Sequence, residues 1–136
     1  DSNGDDLDPN CGLGPVAIGQ KPCATIAKGL QRAGAPLNRS KIFIADGTYE
    51  ETVLLVNGKS LYGGYRPDTW GRHVSTTMTI IRGTSVTTHK KSVIATGITQ
   101  TTVLEGFVIY GQSNYTSGGN SYALYINDSN SFLAVR

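Results

Sequence analysis

The stretch Lys41–Tyr65, KIFIADGTYEETVLLVNGKSLYGGY, decides how the rest of the chain is read. It holds three short apolar runs, and each stops at a turn signal. KIFIA (41–45) ends at Asp46-Gly47, TYEETVLLV (48–56) at Asn57-Gly58, and KSLY (59–62) at Gly63-Gly64. Short β-branched and aromatic runs bounded by Gly, Asn and Asp read as strands, not helices.

The pattern continues towards the C-terminus. TMTII (77–81) stops at Gly83, SVIA (92–95) at Gly97 and TTVLEGFVIY (101–110) at Gly111, and YALYI (122–126) and FLAV (132–135) complete the series. On the N-terminal side, TIAKGLQRAG (25–34) is the one good helix candidate. Ile26, Leu30 and Ala33 share a helical face, with Gly34 as the expected stop and Pro36 beyond it. A helix this short with one apolar stripe must lie on something apolar. Residues 1–24 are rich in Asp, Asn, Gly and Pro and show no apolar period.

Many short strands after one helix fit two architectures. One is an antiparallel sandwich or barrel. The other is a parallel solenoid, whose successive coils stack because none can bury its apolar face alone. An apolar motif before Gly recurs as SLYGGY, TIIRGT and FVIYGQ, placing Leu61, Ile81 and Ile109 at gaps of 20 and 28 residues. This spacing suits one solenoid coil per gap with loops of variable length. It leaves the sandwich open.

Lys41–Tyr65 resembles the first coil of the pectate-lyase-like right-handed parallel β-helix proteins. The matching pieces are Ala24-Thr25-Ile26 before an amphipathic helix, Gly47-Thr48-Tyr49-Glu50, and Ser60–Tyr65; TVLEGFVIYG (102–111) resembles a later coil of that family. The opening DSNGDDLD (1–8) is similar to acidic leaders found before such domains in secreted bacterial proteins. The resemblance implies an all-β fold: a right-handed parallel β-helix with an N-terminal capping α-helix. Residues 1–24 would be an acidic, irregular leader, 25–40 the capping helix and linker, and 41–136 three to four coils. The inward set is expected to be Val53, Leu55, Leu61, Ile80, Val93, Leu104, Phe107, Ile109, Leu124, Ile126 and Leu133. No cap pattern follows Phe132–Arg136, so further coils or another chain are expected to cover that end. Self-association through it is one such outcome.

Function is less legible. The family includes lyases, hydrolases, esterases and adhesins, and fold alone does not choose among them. A net charge of +2, with 12 scattered Lys and Arg, gives no basic stripe for nucleic acid. No apolar run approaches the ~20 residues of a membrane span. Cys11 and Cys23 lie in a loop-like region without metal-ligand spacing, so a disulfide is expected, and with it an extracellular or cell-surface location. Three Asn-x-Ser/Thr sequons, at Asn38, Asn114 and Asn127, would matter only in a eukaryotic secretory pathway.

Asp1, Asn3, Asp5 and Asp8 resemble the start of a Ca²⁺ loop, but Asp6 stands where that loop needs Gly and position 12 is not Glu. A solvated acidic terminus is the competing reading. After Lys41 the acids are Asp46, Glu50, Glu51, Asp68, Glu105 and Asp128. They are spread out and never recur at coil spacing, so no catalytic set is recognisable. His73 and His89 fall in loops with no nucleophile motif beside them. The segment YRPDTWGRH (65–73) is the most suggestive. Tyr65, Arg66, Trp70, Arg72 and His73 together would form an aromatic platform flanked by Arg, suited to a polysaccharide, unless they merely pack the loop onto the coil. The expected function is a non-catalytic scaffold or carbohydrate-binding module. The alternative is the first part of a polysaccharide lyase or glycoside hydrolase whose site lies on later coils.

Overall fold

A computed structural model describes residues 3–12 and 21–136. The protein is mainly β with one short helix. The elements are α1 (Ile26–Arg32), β1 (Lys41–Ala45), β2 (Gly47–Glu50), β3 (Val53–Leu54), β4 (Ser60–Tyr65), β5 (Thr79–Arg82), β6 (Lys90–Thr96), β7 (Thr102–Glu105), β8 (Phe107–Tyr110), β9 (Ser121–Asn127) and β10 (Leu133–Val135). They form three sheets, ordered β1-β4-β7-β10, β2-β5-β8 and β3-β6-β9. The chain therefore visits the three sheets in strict rotation. Every strand pair is parallel, which excludes the antiparallel sandwich. No helix among the described residues is long and apolar enough to cross a membrane.

Register converts this rotation into a core. Ile42, Leu61, Leu104 and Val135 stack as one row. Tyr49, Ile81 and Ile109 form a second, and Val53, Val93 and Leu124 a third. The middle members, Leu61, Ile81 and Val93, are wholly buried. Burying apolar area this way is worth about 25 cal/mol per Å². Polar side chains at the corners are buried too, and they link successive circuits. The Thr79 hydroxyl donates to the Ala45 carbonyl and accepts from the Gly64 N–H (3.2 and 2.8 Å). Ser60 Oγ accepts from the Val103 N–H, and Thr102 Oγ1 from the Gly58 N–H. Each is satisfied, as buried polar groups must be.

Several expectations need correction. The run 48–56 is two strands, broken at Glu51-Thr52, and 101–110 is two strands, broken at Gly106. Gly106 has φ +78, and a Cβ there would stand 3.0 Å from the Gly63 carbonyl oxygen, so only glycine turns this corner. Leu61 and Ile81 are not equivalent rungs, because Leu61 lies on β4 while Ile81 and Ile109 lie on β5 and β8. The excursion after Tyr65 lengthens that circuit, so the partner of Leu61 is Leu104. Ile80 faces outward and Thr79 takes the inward place, a one-residue phase error that flips a strand's faces. Ile126 is half exposed, at the uncovered end of the stack, where Phe132 and Val135 are similarly exposed.

The helix face read from sequence is the buried face: Ile26, Leu30 and Ala33 are at most 7% exposed. Its first turn is held by the β2–β3 corner. The Glu51 carboxylate accepts the Ile26 and Ala27 N–H groups (2.7 and 2.9 Å), and Thr25 Oγ1 accepts that of Lys28 (3.1 Å). These are donors a helix start otherwise leaves orphaned. Asp6 in turn accepts from the Ala24 N–H and from both the N–H and hydroxyl of Thr25. Cys11 and Cys23 form a disulfide. It clamps this acidic segment beside the helix, and the Gly12 N–H donates to the Lys21 carbonyl next to it.

Candidate functional site

The strand side chains that point away from the core form outer rows. On the first sheet one row is Phe43, Tyr62 and Glu105, in register across β1, β4 and β7. Tyr65 ends β4, and the chain then loops out and back, pairing Arg72 with Tyr65 in a single antiparallel bridge. The loop is closed by the Arg66 N–H on the Gly71 carbonyl, the Trp70 N–H on the Arg66 carbonyl and the His73 N–H on the Gly64 carbonyl. Trp70 sits at φ +54, a conformation a bulky residue adopts only when its surroundings impose it.

This closure brings four rings together. Phe43 and Tyr65 lie 4.9 Å apart between centroids, Phe43 and Tyr62 6.2 Å, and Tyr65 and Trp70 6.4 Å, all tilted. Burial pushes the Tyr65 phenol above its ordinary pKa, and Arg72 opposes that shift only in part. Phe43 is 48% exposed, so the platform is open to solvent. Arg72 is tied inward. Its Nε donates to the Gly63 carbonyl (3.0 Å), its Nη1 pairs with Glu105 at 2.7 Å, and its guanidinium stacks on Tyr62 and Tyr65. It therefore braces the rings more than it reaches outward.

Of the five residues singled out in 65–73, Tyr65, Trp70 and Arg72 converge. Arg66 turns to Asp68 in an exposed bidentate pair, which holds the Asp68 carboxyl below its usual range. His73 is exposed, and only its backbone serves the loop. Sequence reading missed Phe43 and Tyr62. The alternation of KIFIA and SLYGGY placed both on the outer face, a signal that register across β1 and β4 makes usable.

A groove of about 710 Å³ opens beside this platform. Its lining includes Arg32 of α1, Ile42 and Phe43 of β1, and Trp70 and Cys23. Arg39 and Lys41 add positive charge to its lining, and Asp68 is its carboxylate among the described residues. Two donors in its lining, Arg32 Nε and Trp70 Nε1, are buried without an acceptor.

The acidic segment is engaged by its own chain. Asp5 accepts the Leu7 N–H and lies 3.8 Å from Lys21, and Asp8 accepts the Asn10 N–H. Asn3 is exposed, and Asp1 falls outside the described residues. The one metal-type grouping among the described residues is Asp6, Cys11 and Cys23, whose sulfurs are spent in the disulfide. On the third sheet Tyr122 and Tyr125 meet edge to face at 5.4 Å, with Lys91 Nζ 3.9 Å above Tyr125. His89 Nδ1 accepts the Asn120 N–H there, a structural use of that imidazole. No family model, curated protein or solved structure matches the chain.

Proposed function

We propose that this chain is a non-catalytic, extracellular right-handed parallel β-helix module of the pectate-lyase-like type that binds carbohydrate on its first sheet. The rotation through three parallel sheets under a helical cap supports the β-helix reading, and the disulfide is compatible with an oxidising compartment. The uncovered end at Phe107, Ile109 and Phe132 is where self-association would occur.

The observation that carries the function is the ring platform of Phe43, Tyr62, Tyr65 and Trp70. Its rings are braced by Arg72 and by a strained Trp70 backbone; Phe43 is half exposed and the other three rings are partly exposed. Clustered aromatic faces suit the apolar faces of a sugar chain, and the phenol edges suit its hydroxyls. Asp46 lies in the β1–β2 corner, Glu50 lies on the exposed face of β2, and Glu105 is engaged by Arg72.

Affinity electrophoresis through gels containing polygalacturonate, xylan or arabinogalactan tests this. At least one polymer should retard the protein, and Tyr65→Ala with Trp70→Ala should weaken binding about tenfold, some 1.4 kcal/mol. Migration unaffected by every polymer, or by the double substitution, refutes the reading. So does turnover in a reducing-end assay that Asp46 or Glu50 substitution abolishes.

A further inference from the structure

We propose that the groove beside α1 receives an extended peptide, which adds as a further strand to the free edge of β1 and sets a carboxylate against Arg32. Among the described residues, β1 is hydrogen-bonded on one side only. The Ser60 N–H donates to the Ser40 carbonyl, and the Asp46 N–H to the Tyr65 carbonyl, both at 2.7 Å. Backbone groups alternate along a strand, and the extra residue in this pairing lies in β4, so β1 itself stays regular. Lys41 and Phe43 therefore turn their N–H and C=O groups away from β4 and into the groove. An extended peptide reads such a row through main-chain bonds, with alternate side chains in flanking pockets. Here the lining beside that edge includes the apolar side chains of Ile42, which faces inward, and Phe43, which faces outward, together with Cys23.

The second observation is charge, which selects the kind of occupant. Arg32 and Lys41 line the groove, while its carboxylate, Asp68, is already engaged by Arg66. The cavity lies within the ~300–1,000 Å³ range of sites that enclose a ligand. A sugar polymer offers no repeat of amide and carbonyl groups to match Lys41 and Phe43, which is why the occupant is a peptide. The groove shares Phe43 and Trp70 with the ring platform, while Tyr62 and Tyr65 belong to the platform alone, so their substitution separates the two readings.

The test uses the whole 136-residue chain. Arrayed random heptapeptides, with free and with amidated carboxyl termini, serve as probes, and amide hydrogen exchange of the protein is followed by NMR. Bound peptides should carry an acidic residue or a free carboxyl terminus. They should slow exchange at Lys41 and Phe43 at least tenfold. Arg32→Gln should weaken binding about tenfold, and Tyr62→Ala should leave it unchanged. Lys41→Pro, tolerated on an edge strand, should abolish it by removing one outward N–H. The proposal is overturned if no heptapeptide binds, if binding leaves Lys41 and Phe43 exchange unaltered, or if only polygalacturonate protects them. Arg32→Gln and Lys41→Pro chains that both bind at full strength also overturn it.

Discussion

Glu50 and Glu51 are neighbours in sequence and should differ sharply in consequence. The Glu51 carboxylate accepts two first-turn N–H groups of α1, one oxygen to Ile26 and the other to Ala27. Ile26 is fully buried, so removing the carboxylate strands a donor that water cannot reach. A hydrogen bond to a charged group contributes roughly 1.5–3 kcal/mol, and a negative charge at a helix start adds about 0.3–1. Ala27 is exposed and water replaces part of its bond. Glu51→Ala should therefore cost about 3 kcal/mol, near the low end of the sum. At about 3 °C per kcal/mol for a chain of this size, the melting temperature should fall by about 9 °C. Glu50 points to solvent beside Arg82 in the register of the second sheet. Glu50→Ala should cost under about 0.5 kcal/mol, as exposed pairs do. Urea unfolding followed by circular dichroism measures both. If Glu51→Ala lies within 0.5 kcal/mol of the wild type, or the two substitutions cost the same, then the helix is not held on the stack by this carboxylate.

The disulfide and the acidic segment give two further expectations. A thiol assay on unfolded, unreduced protein should detect no free thiol, and Cys11→Ser with Cys23→Ser should cost about 3 kcal/mol for a loop of this length; two reactive thiols in the native protein would contradict the bridge. Asp6 titrates below its ordinary value of 3.8: burial raises it, but the hydrogen bonds from Thr25 and Ala24, helped by the charge of Lys28, outweigh that. Since its folded pKa is depressed, its stabilisation is complete above 3.8 and is lost as pH falls below it. The stability gap between wild type and Asp6→Asn should thus be constant above pH 4 and close below it, and a gap independent of pH in acid would refute the assignment.

Local chemistry alone made the strands and the helix legible. Runs such as KIFIA and SVIA, stopped by Gly or Asn-Gly, need only backbone preference and alternation to read as strands, and the Ile26/Leu30/Ala33 face needs only the helical period. Loop composition around Cys11 and Cys23 was enough for the bridge. Long-range register was not available in the same way. A parallel pairing such as Leu61 with Leu104 spans an excursion whose length no local signal sets, so equal-looking motifs before Gly do not mark equal rungs. Ile80 and Thr79 exchanged places for a related reason: alternation fixes a strand's two faces but not which of them is inward, and that depends on the neighbours stacked above and below. The candidate site shows the same division. Tyr65, Trp70 and Arg72 were visible in one loop, while Phe43 and Tyr62 join them only because β1 and β4 lie side by side. Arg72 became a brace because Gly63 and Gly106 let two corners approach and set Glu105 within its reach. The helix start is the last such case. Its donors are local, but their acceptor, Glu51, arrives from a corner that only the tertiary fold brings beneath it.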